Sequence, residues 1–369
     1  MANKYDIAAY IWPSYTGDEP RSRIFWPEGY GEWQTVKAAK SKHEESVWPR
    51  KPLWGYVNEA DPYVMEMQID AAADHGVNVF IYDWYWYDNR PFLEQCLNNG
   101  YLKARNNERV KFYIMWANHV ATTLWDVRSA HLQIPIWEAK TDKTVFKTIC
   151  ARLINNYFTH PNYYKIEGKP VFQIYDFIKF IDDLGGMEGA KWAMDYMKEE
   201  AIKAGLNGIH FQISLRAPVK TLRVHKDFDG SFADAVDYLG FDSSTHYQFC
   251  GITVAHRPYP EVLADCVKVW DECRDAMKAT YYPHVSLGWD TNPRYIPLMP
   301  NITTETTPEN IKQGFVEAKK YIDAHPELPA PLITINSWNE WTEGSYLQPD
   351  DINGYGYLEA LKEVFMGDK

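Results

Sequence analysis

The chain has 369 residues, 46% hydrophobic and 24% charged, the make-up of a folded globular protein with a large core rather than a disordered or fibrous one. Lys and Arg total 38 against 50 Asp and Glu, for a net charge of -12 with no basic cluster, so nucleic acid and anionic membranes are poor matches as partners. No apolar run approaches the roughly 20 residues that cross a bilayer, and no membrane span is expected.

Residues 1–4 run into the first strand without the charged-then-apolar pattern of a leader, which predicts a cytoplasmic protein or the mature part of an exported one. The strand-type run 7–12 is followed by a long loop over 13–61 and an amphipathic helix over 62–75. Asp61-Pro62 supplies a cap and a proline at the first helical position, and Gly76 a stop. The pattern then repeats: strand 77–84 with helix 91–103, strand 111–116 with loop 117–144 and helix 145–158, and strand 170–175 with helix 187–204, which stops at Gly205. Strand 209–215 leads through loop 216–231 to the short helix 232–238, and strand 241–247 to helix 259–279. Strand 284–289 with loop 290–307 and helix 308–324, capped at Thr307-Pro308, and strand 332–338 with helix 357–365 complete the series. Eight alternations predict parallel strands joined by helical crossovers, an α/β fold of the (β/α)8 TIM-barrel type, as a single catalytic domain over 1–369. Such a barrel needs about 250 residues. The surplus falls in long loops that follow strands, at the C-terminal face where barrels do their chemistry.

Residues ending the strands should therefore share one mouth. They are Trp12; Asp83, Trp84, Tyr85 and Trp86; Trp116 and Asn118; Asp176; Arg216; His246 and Tyr247; Trp289 and Asp290; and Asn339 with Glu340. Every strand delivers a polar or aromatic group, a set suited to binding sugar rings. Glu340 and Glu343 are the catalytic candidates: Trp338-Asn339-Glu340-Trp341-Thr342-Glu343-Gly344 sets two acids among indoles, Trp341 between them, and glycoside cleavage uses a carboxyl pair. Residues three apart on a strand face opposite ways, so a shared pocket requires the chain to leave strand geometry near Glu340, which Gly344 makes easy. His246 with Asp83, Asp176 or Asp290 lacks the spacing of a metal site, and Ser243-Ser244 with His246 lacks a nucleophile elbow. The five cysteines contain no Cys-x-x-Cys pair and read as buried apolar groups. No metal or other cofactor is expected.

Several segments in this order resemble the WbsX-type proteins, polysaccharide-associated relatives of glycoside hydrolase family 99. They are Gly31-Glu32-Trp33, Tyr82 to Trp86, Trp116-Ala117-Asn118, Gly168-Lys169-Pro170-Val171-Phe172, Gly288-Trp289-Asp290, Asn336 to Asp350, and Gly354-Tyr355-Gly356-Tyr357-Leu358. The chain has His119-Val120-Ala121 where the WbsX pattern usually has Glu, Asn and Trp, and Thr342 where family 99 hydrolases commonly have histidine. The resemblance implies a barrel that cleaves α-mannosidic bonds inside a glycan, with retention and without metal, and it adds Glu32 and Trp33 to the substrate-binding set. It also implies that Glu340 deprotonates the sugar 2-hydroxyl, whose oxygen then displaces the leaving group to form a 1,2-anhydro sugar. Glu343 is implied as the general acid and then the base that activates water. The expectation is a retaining glycoside hydrolase acting on a neutral, α-linked, mannose-like oligo- or polysaccharide. The alternatives are a glycosyltransferase of polysaccharide biosynthesis, for which a Gly-rich phosphate loop is missing, and a carbohydrate-binding barrel without turnover.

Overall fold

The computed structural model describes residues 4–367, so residues 1–3 of the lead-in lie outside the described residues. Strands follow in chain order as β1 (Asp6–Ile11), β2 (Val79–Tyr87), β3 (Lys111–Trp116), β4 (Lys169–Ile174), β5 (His210–Leu215), β6 (Ser243–His246), β7 in two pieces (Thr280–Tyr281 and His284–Ser286), and β8 (Leu332–Asn336). Pairing is parallel throughout this series, β1 to β6 in order and β8 on the other flank of β1, so Asp6 lies beside Leu332 from the far end of the chain. The pieces of β7 form the two edges: Thr280–Tyr281 pairs with β6 and His284–Ser286 with β8. Between them the Tyr282 N–H donates to Ser244 O at 2.9 Å and Pro283 O accepts from Thr334 N at 3.1 Å. Proline has no N–H for the ladder, which breaks the seventh strand at that point. The result is a curled parallel sheet with outer helices, the expected α/β architecture of TIM-barrel type.

Helices Pro62–Asp74, Lys143–Leu153, Met187–Lys203, Phe232–Leu239, Tyr259–Ala276, Pro308–Ala324 and Gly356–Met366 fall where the 3.6-residue period places them. Asp61 and Thr307 cap as expected, accepting from Tyr63 N and Asn310 N, and Gly76 and Gly205 adopt φ of 97° and 85° where helices stop. The predicted helix 91–103 needs correction. Asp88 and Asn89 sit at φ of 51° and 56°, the backbone of a tight hairpin turn, and fold Arg90–Phe92 back onto β2. Helical geometry begins only at Cys96, as a wide turn over Cys96–Gly100 and a tighter one over Tyr101–Lys103.

Alternation along the strands decides what the mouth receives. β2 is buried from end to end, yet Asp83 and Tyr85 face a cavity while Trp84 and Trp86 face away from it. In β3, Met115 faces that cavity and Trp116 packs outward between Phe146 and Phe180 of the surrounding helices.

Candidate active site

After β8 the chain leaves the sheet within a few residues. Asn339–Glu340 pairs antiparallel with Ser345–Tyr346, and Trp341–Glu343 wind into one 3-10 turn that ends at Gly344, φ 65°. Glu340 and Glu343 are thereby brought to the same side, the departure from strand geometry that a shared pocket demands. A side chain at position 344 would also press on Asp290, whose Cβ lies 3.0 Å from where the new carbon would sit. Ser337 holds the exit, its Oγ accepting from Glu340 N and donating to Ser345 O, both at 2.6 Å.

The pair borders a cavity of about 270 Å3 at the mouth of the sheet, walled by Trp12, Asp83, Tyr85, His119, Trp125, Tyr175, Arg216, Tyr247 and Arg294. A smaller hollow of about 170 Å3 adjoins it; Gln248, Cys250, Gly251 and Trp289 line only this one, whereas Tyr175, Arg216, Tyr247 and Glu343 border both. A larger groove of about 560 Å3 lies outside the barrel between helices Tyr259–Ala276 and Pro308–Ala324. Its lining is half apolar, and its charged groups, Glu309, Lys312, Glu317 and Lys320, all belong to the outer helix Pro308–Ala324 rather than to strand ends, so the smaller cavity at the strand ends is the candidate site.

Arg294 organises the acids. Its guanidinium is buried and donates from Nε to Glu32 at 3.1 Å, from Nη1 to Glu343 at 2.6 Å and from Nη2 to Glu340 at 3.1 Å. Glu32 is fully buried and also accepts from Ser14 Oγ at 3.4 Å and from the Trp12 indole N–H. One guanidinium cannot balance three ionised carboxyls out of water, so the cluster retains a proton. Burial drives Glu340 well above the usual carboxylate range, the Glu343 charge adds to the rise, and Arg294 opposes it. Burial raises Glu343 too, against a counter-pull from Arg294. Across the cavity, burial likewise raises Asp83 strongly. Tyr247 OH donates to Asp83 Oδ2 at 2.9 Å and lies 3.5 Å from Glu340 Oε1, while Asp83 Oδ1 is buried without a partner among the described residues.

Of the residues singled out in the sequence, Trp12, Asp83, Tyr85, Arg216, Tyr247, Glu340 and Glu343 line the main cavity and Trp289 the smaller hollow. The others are placed elsewhere. Trp84 faces away and donates to Glu94 at 2.7 Å, with Trp86 stacked 5.7 Å from it, and Trp116 packs among phenylalanines. Asn118 clamps the exits of β3 and β4 through both backbone groups of Asp176, which itself caps helix Phe177–Asp183. His246 turns outward to Tyr281 OH at 2.8 Å, and burial lowers it to about 4. Asp290 is enclosed by Ser46, the Trp48 indole and Asn292. Asn339 ties to both backbone groups of Trp12, Trp33 donates to Val57 O, and Trp341 stacks on Tyr346 at 3.9 Å. Glu32 reaches the site through Arg294 rather than by lining it. Sequence reasoning missed Arg294, Trp125 and Tyr175 as wall residues and treated His119 only as a departure from a pattern. Arg294 was findable as the cation in the 290–307 loop, already marked as surplus at the right face.

A family model described as Glycosyltransferase WbsX matches residues 7–361. The chain belongs to this WbsX family. Two curated WbsX-like relatives, each described as uncharacterized protein WxcX, come from strains of Xanthomonas campestris pv. campestris and are 24% identical over 352 residues. That match covers 94% of this chain and 47% of the relatives, so the WbsX chain spans about half their length. Among solved structures, the GH99 endo-alpha-mannosidase from Bacteroides thetaiotaomicron superposes with a TM-score of 0.61 at 14% identity, over 100% of this chain and 98% of that one. A protein described as glycoside hydrolase-like gives 0.61 at 14% identity over 99% and 94%. At these identities the likeness speaks for the fold. Among the described residues no helix is long and apolar enough to cross a membrane.

Proposed function

We propose that this WbsX chain is a retaining glycoside hydrolase that cleaves an α-linked, mannose-like bond in a neutral oligo- or polysaccharide, with Glu340 and Glu343 as its catalytic carboxyls. The observation that carries this is the two acids bound to one buried guanidinium on the wall of an aromatic-lined cavity. The endo-alpha-mannosidase fold supports the substrate class.

In this mechanism Glu340 takes the proton of the 2-hydroxyl, the freed oxygen closes on the anomeric carbon, and Glu343 gives its proton to the departing glycosidic oxygen. A 1,2-anhydro sugar results. Glu343, now a carboxylate, takes a proton from water as that water opens the ring, and Glu340 returns its proton to the 2-oxygen. Before substrate binds, the opposite arrangement is favoured: the shorter Arg294 bond goes to Glu343, and Glu340 is the more strongly raised of the two. Substrate supplies the reversal. A 2-hydroxyl donating to Glu340 stabilises its ionised form, and a glycosidic oxygen needing a donor stabilises protonated Glu343.

Separate Glu340→Gln and Glu343→Gln variants, assayed on α-linked manno-oligosaccharides, should each lose roughly 100-fold or more. On α-mannobiosyl fluoride, whose leaving group needs no proton, Glu343→Gln should give a burst followed by slow turnover while Glu340→Gln stays slow from the start. Parental rates in both variants remove the acids from the chemistry; identical behaviour on the two substrates removes only the division of roles.

The family description favours a second reading, a glycosyltransferase with a nucleotide-sugar donor. The chain's Asp227-Phe228-Asp229 has the spacing of a metal-diphosphate motif, but Asp227 pairs with His225 at 3.6 Å, Asp229 is exposed, and neither lines the cavity. Calorimetry with GDP and UDP in the presence of manganese tests it: heat of binding would favour the transferase. A binding barrel without turnover predicts glycan affinity indifferent to both glutamine substitutions.

A further inference from the structure

We infer that the two adjoining hollows are successive sugar subsites of fixed polarity: the larger takes the sugar whose anomeric carbon is attacked, and the smaller, walled by Trp289, takes the sugar that leaves. This rests on the acid–base reading above and adds the direction in which the glycan lies.

Of the two acids, Glu340 borders the larger hollow only, whereas Glu343 borders both. A group that donates to the glycosidic oxygen must reach the one atom that joins two sugars. A group that acts on the 2-hydroxyl must lie with the sugar that bears it. Glu343 at the junction and Glu340 on one side meet both demands in a single orientation; reversing the glycan would put the attacked ring beyond Glu340. The two linings differ in the same sense. The larger hollow holds Asp83, whose buried Oδ1 has no partner among the described residues, a hydrogen-bonding group suited to fixing a reacting ring by its hydroxyls. To the residues that the two hollows share, the smaller adds Trp289, Gln248, Cys250 and Gly251, with no carboxyl besides the shared Glu343, a looser hold suited to a group that must depart. Arg216 has a half-exposed side chain (53%) spread over the Tyr175 ring at 4.9 Å, and it touches Asp176 at 3.4 Å. The smaller hollow is also built into the backbone: at Gly251 a Cβ would come within 2.2 Å of Arg216 O, so only glycine lets this segment approach the exit of β5.

Two measurements test the polarity. In the first, Trp289→Ala is compared with the parent on an α-linked mannotetraose and on α-mannobiosyl fluoride, whose leaving group is too small to fill a sugar subsite. The kcat/KM ratio of tetraose to fluoride should fall at least about tenfold, the loss expected on removing an apolar wall; an unchanged ratio overturns the assignment. In the second, crystals of Glu343→Gln are soaked with the same mannotetraose. The reducing-end side of the chain should occupy the smaller hollow beside Trp289. A reversed chain, or sugar confined to the larger hollow, overturns the polarity and leaves the hydrolase reading standing. Failure to cleave or bind any of these glycans in parent and variant alike overturns both.

Discussion

Consecutive residues of this chain belong to two buried acid clusters of opposite character. Asn339 belongs to the cluster around Glu59, whose Oε1 accepts from Gln348 and Gln68 at 2.8 and 3.2 Å and whose Oε2 accepts from Asn339 at 2.9 Å. Its donors are neutral amides and the Cys96 thiol, and it lines neither hollow of the mouth. Glu340 belongs to the Arg294 cluster, where three carboxyls share one cation and two of them face empty volume. The first cluster has its hydrogen bonds filled from within and serves as architecture, tying the β8 exit to helix Pro62–Asp74 through Gln68. The second places two carboxyls on a cavity wall, the condition for acting on something that enters. A buried acid points to chemistry when its surroundings shift its proton affinity, pair it with a cation and leave it open to a cavity.

The sharpest way to break this contrast is to remove the cation. Arg294→Met should lower activity roughly 100-fold or more by releasing both acids from their geometry. It should also cost about 3–5 kcal/mol of stability, as expected when one partner of a buried ion pair is lost. That cost should grow with pH. Without the guanidinium the folded carboxyls hold protons still more tightly than the unfolded chain does, so stability falls as pH rises. Arg294→Lys restores the charge without the three-way fork and should recover stability better than rate. Denaturant unfolding at several pH values, with kcat/KM on manno-oligosaccharides, checks both; a methionine variant at parental rate would make Arg294 mere scaffolding.

The strands were legible because apolar runs of the right length alternate with capped amphipathic stretches, and the acid pair because both members lie within the seven residues from Trp338 to Gly344. The rest of the site was not. Choosing residues by position at a strand end ignores parity, and parity sends Trp84, Trp86 and Trp116 outward while Asp83, Tyr85 and Met115 go in. The same rule turns His246 away while Thr245 bonds Thr334 across the interior. Arg294 and Glu32 are 262 positions apart and meet only because two long loops fold over one mouth, a contact with no local signature. The hairpin after β2 was written in Asp88-Asn89, but placing the strand end three residues early hid it.

Glu59 sharpens the comparison from the other side. Burial raises its carboxyl to about 7, so between about 4.5 and about 7 the folded chain binds a proton that the unfolded chain has released. The native state binding more protons means that stability declines as pH rises through that window and levels off above it. The decline should amount to a few kcal/mol and should be missing from Glu59→Gln, whose side chain does not titrate. Catalysis at a pH where both proteins are folded should change far less than in the Arg294 variants. Unfolding midpoints of parent and variant from pH 4 to 8 decide this; curves that run parallel throughout would show that the neutral amides fully support the charged form.

The smallest effects come from two buried tryptophans that occupy opposite faces of the sheet. Trp12 forms part of the cavity wall and gives its indole N–H to Glu32, which in turn holds Arg294. Trp86 is also buried, stacks on Trp84, and its indole nitrogen has no partner among the described residues. Trp86→Phe therefore removes packing but no hydrogen bond, and should cost no more than about 1.5 kcal/mol of stability with little change in rate. Trp12→Phe removes a donor to a buried carboxylate, worth about 1.5–3 kcal/mol, and loosens the support behind the acid pair, so its loss should appear in kcat as well as in stability. If Trp86→Phe slowed cleavage as much as Trp12→Phe, the division of the mouth into a reacting face and a packing face would be wrong, and with it the assignment of the cavity between β1 and β6 as the place where the two glutamates act.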